Sequence, residues 1–208
     1  PHGAIVTAKA QTAGRGRHGR AWASPPGRSI YLSIVLRLGA GVPVPPLTLA
    51  VGVGVCDAVR AEGVAAAALK WPNDVLVPGA GGWRKLAGVL CESTGEAVVV
   101  GIGVNVNGDA ADLPPEVAAR AATIGDVLGR WVDRDAFLER LLAELAPWID
   151  RRAVGVAAVI LDDRAVVHHV RASAAIGRDA AGDVARRRRS LARHLDLADR
   201  GPARGRLG

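Results

Sequence analysis

The chain has 208 residues, half of them apolar, with 26 Gly, 12 Pro, one Phe, one Tyr and no Met. That length suits one domain of ordinary size with a small appendage, enough to bury a core, and no consecutive apolar run reaches the length of a membrane span. The formal net charge is +7, but residues 1–150 hold 14 Lys+Arg against 14 Asp+Glu, and residues 151–208 hold 13 Arg against 6 Asp. The body therefore carries no general field for polyanions, which argues against a nucleic-acid-binding protein.

The N-terminus, "PHGAIVTAKAQ", opens on an apolar run with no signal-like layout and reads as a chain missing its true beginning. "GAIVTAKAQ" (3–11) and "SIYLSIVLRL" (29–38) are expected strands, separated by a polar loop. "GAGVPVPP" (39–46) is a turn-rich link. "LTLAVGVGVCDAVRAEG" (47–63) has helical spacing through Leu49, Val53, Cys56, Val59 and Arg60, with Gly63 as its stop. Gly52 and Gly54 weaken that helix unless a neighbour packs closely there.

"AALKW", "DVLV" and "KLAGVLCES" are short β-like runs, the last two forming a hairpin across "PGAGG" (78–82). "EAVVVGIGVNVN" (96–107) is a buried strand with Gly101 and Gly103 on one face, where a side chain would block an approach to the sheet. "PPEVAARAATIGDVLG" is helical in part. "DRDAFLERLLAELAPWID" (133–150) is an amphipathic helix with Phe137, Leu141, Leu145 and Trp148 on its stripe and Asp133 or Asp135 as cap. After Asp150 the texture changes: "RRAVGVAAVILDDRAVVHHV" suggests a strand pair, and the Arg-rich remainder has no clear period. The order of elements implies an α+β domain, a mixed β-sheet with helices packed on one face. Cys56 and Cys91 belong to no CxxC pattern and read as reduced core residues of a cytosolic protein.

Four stretches carry polar residues where chemistry could sit. The loop "TAGRGRHGRAWASPPGR" (12–28) has glycines that let backbone N–H groups turn toward an anion and arginines that offer forked donors. It lacks GxxxxGK[ST], and its composition also suits an unstructured nucleic-acid segment; the flanking strands and Trp22 favour an ordered ligand loop. In "LKWPNDVLV" (69–77), Asn73 and Asp74 are ordinary turn residues or face a nucleotide and magnesium. In "RKLAGVLCES" (84–93), Lys85 at a strand start is solvated or stabilises charge on a transferring phosphoryl group. In "GIGVNVN" (101–107), Asn105 and Asn107 end an apolar strand, and no GxGxxG opens a helix there.

Taken together and in this order, "AKAQTAGRGRHGRAWASPPGRSIYLSIVLR", "LKWPNDVLV", "RKLAGVLCES" and "VVVGIGVNVN" resemble the catalytic domain of the biotin protein ligases. The resemblance covers residues 3–107 strongly and extends weakly toward residue 150. It implies the class II synthetase-like fold of the biotin–lipoate ligases, with residues 1–150 as the biotin- and ATP-binding catalytic domain. The activity implied is formation of biotinyl-5′-AMP from biotin and ATP with Mg2+, then transfer of biotin to a lysine of a biotin carboxyl carrier protein, a subunit of acetyl-CoA or acyl-CoA carboxylase.

The resemblance assigns Gln11, Gly14, Arg15, Gly16, Arg17 and Lys85 to biotin, with Arg15 acting mainly through its backbone. Arg17, Arg20, Trp22, Asn73, Asp74 and Asn105 fall to ATP. Lys85 and Arg17 are the catalytic pair, Lys85 touching both the carboxyl and the α-phosphate. No metal site follows from spacing; Asp74 would reach magnesium through the nucleotide. The implied setting is cytoplasmic, without a membrane or a DNA-binding domain, and a homodimer is left open.

Two departures stand out. The family's Ser-Thr-Asn motif and the helix before it would precede residue 1. Residues 151–208 form an atypical or degraded Arg-rich segment where the family has an SH3-like barrel; "ASAAIGRD" (172–179) faintly resembles the start of that barrel, and a lost reading frame would account for the rest. The alternatives are a lipoate or other acyl-acid ligase of the same fold, and an inactive ligase fragment.

Overall fold

The structure is a computed structural model that describes residues 2–37, 44–109 and 113–149. The expectations for residues 151–208, and for 39–43 of the turn-rich link, lie outside the described residues.

Six strands form one sheet in the order β1-β2-β6-β5-β4-β3. They are β1 (Ala4–Ala8), β2 (Ser29–Leu36), β3 (Ala68–Lys70), β4 (Asp74–Gly79), β5 (Gly82–Ser93) and β6 (Val98–Asn105). Every strand pairing is antiparallel; the parallel component is an isolated bridge between Lys85 and Ala121. Among the described residues the α-helices are α1 (Val44–Ala61), α2 (Pro115–Ala118), α3 (Ile124–Leu128) and α4 (Arg134–Ile149).

The period-two pattern of the strands decides which face is which. On β2, Ile30, Leu32, Ile34 and Leu36 enter the core; on β6, Val98, Val100, Ile102 and Val104 do. α1 and α4 cover that face. From α1, Val51, Val55 and Val59 are fully buried, and from α4, Phe137, Leu141 and Leu145. The opposite face carries Ser29, Tyr31 and Ser33 of β2 and Val99, Gly101, Gly103 and Asn105 of β6. The 12–28 loop reaches over it.

α1 begins at Val44, so Pro45 and Pro46 occupy its first turn, where a missing N–H costs nothing. The two glycines that weaken it on paper are sites of close packing: a Cβ on Gly52 would lie 2.7 Å from Leu69 Cδ1, and one on Gly54 3.1 Å from Leu145 Cδ2. By length and composition alone α1 could cross a membrane. Its burial against the sheet and α4 makes it a core helix. α4 starts at the cap expected: Asp133 Oδ1 accepts from the backbone N–H of Asp135 at 2.9 Å and of Ala136 at 3.1 Å.

Cys56 is buried and Cys91 half-buried, and neither is in a disulfide. Burial pushes the Cys91 thiol up to about 11, so it is protonated and inert at neutral pH.

Candidate functional site

The 12–28 loop is folded onto itself. Gly16 N–H donates to the carbonyl of Arg20 at 2.7 Å and Trp22 N–H to that of Gly14 at 2.9 Å. Arg15 and Ala21 pair as a small antiparallel bridge. The tip, Arg17–Gly19, is a short 3-10 turn. His18 and Gly19 both take left-handed backbone angles there, φ 56° and 71°. This is a tight arginine-bearing hairpin, so the ordered alternative holds over the unstructured one. At its root, Ser24 Oγ donates to Gln11 Oε1 at 2.8 Å, and Gly27 N–H donates to Lys9 O at 3.0 Å.

Beneath the hairpin, Trp22 lies on a floor of glycine. A Cβ on Gly103 would sit 2.5 Å from Trp22 Cε2, and one on Gly88 3.1 Å from Trp22 Cζ3. Only residues without a side chain let the indole settle this close to β5 and β6. The indole Nε1 is buried and lacks an acceptor.

Lys85 is aimed here by an irregularity in the sheet. The register between β4 and β5 passes from Val75↔Ala87 to Leu76↔Lys85, so β5 carries one extra residue. Such a bulge re-aims a side chain and leaves backbone groups to be satisfied elsewhere. The segment after α2 does that: Lys85 N–H donates to Arg120 O at 2.6 Å and Ala122 N–H to Lys85 O at 2.9 Å. Leu86 is then fully buried in the core, while Lys85 Nζ stands 5.1 Å from the centroid of the Trp22 ring. The ammonium is 2.6 Å from Asp74 Oδ1. That oxygen is buried without an aligned donor, so the contact is an ion pair rather than a well-formed hydrogen bond.

Asn73, after the cis Trp71–Pro72 peptide, is clamped to β5 from both sides. Its Nδ2 donates to Val89 O at 3.0 Å, and Val89 N–H donates to its carbonyl at 2.9 Å. Its Oδ1 is left to face Arg17, whose Nη1 donates to it at 3.4 Å. A pocket of ≈ 190 Å³ lies between hairpin and sheet, lined by Gln11, Arg15, Gly16, Arg17, Trp22, Asn73, Lys85, Gly88, Glu92, Gly101 and Gly103 among others. A larger groove of ≈ 690 Å³ runs between β1, β2 and α4, but its lining is mostly aliphatic, with Arg37 and His2 its polar members. It lacks the convergent charges of the first.

Most of the sequence-predicted residues are thus brought together; Asp74 joins them through Lys85, outside the pocket lining, and Arg20, Asn105 and Gly14 do not join them. Arg20 is exposed and does not line the pocket. Asn105 Nδ2 is engaged by Ala122 O at 3.2 Å and Lys85 O at 3.5 Å, bracing the backbone behind Lys85. Gly14 is packed under Trp22 O and Gln11 Oε1 at the hairpin's root, outside the pocket lining. Asn107 is structural: it is buried and exchanges two hydrogen bonds with the backbone of Val132, at 2.8 and 2.9 Å. Glu92 was missed. It accepts from Arg15 Nη2 at 2.9 Å and shares the pocket face with Gly88 and Leu90 at steps of two, a spacing that sequence alone displays.

Among the described residues no group of three His, Cys, Asp or Glu side chains could hold a metal ion. Asp74 Oδ1 faces the Lys85 ammonium at 2.6 Å, and a single carboxylate of this kind suits magnesium that arrives with the phosphates of a nucleotide, the way that ion is usually held.

Residues 1–109 match the biotin/lipoate A/B protein ligase family. The chain is 42% identical over 149 residues to the biotin--[acetyl-CoA-carboxylase] ligase of Mycobacterium tuberculosis, covering 69% of this chain and 53% of that one. It is 36% identical over 150 residues to the bifunctional ligase/repressor BirA of Bacillus spizizenii, covering 68% and 44%. The solved biotin protein ligase from Aquifex aeolicus in complex with biotin and ATP superposes with a TM-score of 0.65 at 33% identity, covering 73% of this chain and 62% of that one. The chain spans about half the length of these curated relatives. The family match takes in just over half of the residues, and the chain therefore belongs to the biotin/lipoate A/B protein ligase family.

Proposed function

We propose that this chain is the catalytic part of an ATP-dependent biotin protein ligase. The observation that carries the reading is Lys85 Nζ, held between Asp74 and the Trp22 ring beneath an arginine hairpin. In the first step an oxygen of the biotin carboxylate attacks the α-phosphorus of ATP. The bond to the β-phosphate oxygen breaks, and pyrophosphate leaves. In the second, a carrier lysine amine attacks the acyl carbon of biotinyl-5′-AMP. AMP leaves with the bonding electrons, and the amine's proton goes to solvent or a base.

Two anions must meet in the first step, so the site's task is to cancel their repulsion and hold them in line. Lys85 is the compact cation for the carboxylate and the α-phosphate, stabilising the charge that builds in the transition state. Arg17, steadied by Asn73, adds a forked donor from the hairpin. Gln11, Arg15, Gly16 and the glycine floor suit the biotin end, Trp22 and Asn73 the nucleotide end. Magnesium arriving on ATP would be held by Asp74 and would neutralise phosphate charge. A closed hairpin keeps water from the mixed anhydride. Its natural partner is the lysine-bearing carrier domain of a biotin-dependent carboxylase, and two cysteines outside any disulfide fit a reducing, cytoplasmic compartment.

Lipoate activation uses the same family fold. What favours biotin is the identity to biotin ligases named above, 42% and 36%. The test supplies MgATP, an apo carrier domain and either biotin or lipoate, and follows carrier modification by intact mass and streptavidin blot. Biotinylation alone is the expected result. In Lys85→Ala the rate of adenylate formation should fall about 10²–10³-fold, the usual loss when one charge-stabilising donor is removed. Undiminished turnover in that variant would remove Lys85 from its role, and lipoylation without biotinylation would overturn the substrate.

A further inference from the structure

We propose that Glu92 is a positioning residue, the sheet-side half of an electrostatic latch that holds the arginine hairpin over the pocket through Arg15. The inference deepens the ligase reading, because the pocket concerned is the one assigned to biotin and ATP.

The pocket is too small as it stands. At ≈ 190 Å³ it falls below the roughly 300–1,000 Å³ common for small-molecule sites, and the reading requires it to admit two substrates. The walls from β5 and β6 belong to the buried sheet and cannot retreat. The hairpin can, because among the described residues the backbone hydrogen bonds of residues 14–22 run within the hairpin, Gly16 to Arg20, Arg20 to Arg17 and Trp22 to Gly14, with the Arg15–Ala21 bridge. It would move as a body about its root at Gln11 and Ser24.

Three side chains tie that body to the sheet. Trp22 rests on Gly103 and Gly88. Arg17 makes a long bond to Asn73 at 3.4 Å. Arg15 Nη2 meets Glu92 Oε2 at 2.9 Å, and among the described residues this tie alone joins opposite charges between hairpin and sheet. Its side chains are 72% and 43% exposed, so water and salt screen it, and the pair shifts an equilibrium by no more than about fivefold. A weak tie suits the purpose. The hairpin is biased closed yet opens readily for substrates and product. Glu92 also occupies the charge of Arg15, as Asp74 does that of Lys85, whereas the partner of Arg17 is the neutral amide of Asn73.

The hairpin's own arginines supply the readout. Trypsin must pull the hairpin free to cleave after Arg17 or Arg20, so the rate of those cleavages, mapped by mass spectrometry on the full chain without ligands, reports opening. Rates are normalised to a small peptide substrate in the same tube to remove salt effects on trypsin. Glu92→Gln should speed both cleavages two- to fivefold at low salt. Wild-type cleavage should accelerate with NaCl until it meets the variant, whose rate stays flat. The charge swap Arg15→Glu with Glu92→Arg should cleave more slowly than Arg15→Glu alone. A Glu92→Gln chain with wild-type cleavage and wild-type salt response overturns the latch; so does a swap that restores nothing. Melting temperature separates a general loss of stability, which would speed cleavage at arginines throughout the chain. Because no biotin or ATP is present, the latch stands or falls apart from the ligase reading, which the carrier assay decides.

Discussion

Gly103 shows how much a single missing side chain determines. It sits on β6 with its face to the pocket, and Trp22 Cε2 occupies the space that its Cβ would need, 2.5 Å away. No core residue is touched by changing it, since the core alternates on the other face through Ile102 and Val104. Gly103→Ala should therefore leave the melting temperature nearly unchanged while unseating the indole. Overpacking costs about 1–3 kcal/mol; here it is relieved by displacing the indole from the pocket wall, so it is read as biotin and ATP binding weakened by about tenfold, together with a red shift in tryptophan emission. Isothermal titration and fluorescence check the two halves, and tight binding in Gly103→Ala would show that the indole need not rest there. That Gly101 and Gly103 share a face was visible in the alternation of β6. What would lie on that face was not, because Trp22 is far away in sequence and arrives by a loop whose path no local pattern encodes.

At the scale of elements, the strands and long helices follow from periodicity and their ends from local chemistry. α4 illustrates this. Its stripe of Phe137, Leu141 and Leu145 is buried, and Asp133 satisfies two backbone N–H groups at its start. Asp133→Ala should cost about 0.5–2 kcal/mol, the usual value of an N-cap, read as a lower melting temperature with catalysis intact. An unchanged melting temperature would mean that packing of α4 against α1 alone sets its register. The bulge in β5 is the contrasting case. "RKLAGVLCES" reads as a plain strand, and nothing in it says that one residue goes unmatched by β4. The irregularity depends on Arg120 and Ala122 offering backbone partners to Lys85, a long-range condition. Hence Lys85 could be singled out from the sequence by resemblance, while the geometry that aims it could not.

For the whole molecule, charge is the property most readily misread. A net +7 suggests affinity for polyanions, yet residues 1–150 are balanced and the excess is confined to residues 151–208. The same partition governs what sequence could say of the architecture. The α+β sheet with one helical face follows from the alternation of β2 and β6 and the stripes of α1 and α4, because burial on one side is written into each element. The binding loop's closed form is not, since it depends on a hairpin, a glycine floor and an exposed ion pair meeting from separate segments. If function resides in the balanced part, polyanion binding and ligation must separate. The full chain should be retained on heparin and elute with moderate salt, since its affinity comes from released counterions. A chain ending at residue 150 should pass through, because local positive charge at Lys85 and Arg15 is matched nearby by Asp74 and Glu92 and presents no extended basic stripe. Added biotinyl-AMP should leave the retention of the full chain unaltered. Retention of the shorter chain at similar salt would place a polyanion surface on the folded body and reopen a nucleic-acid role that its charge balance argues against.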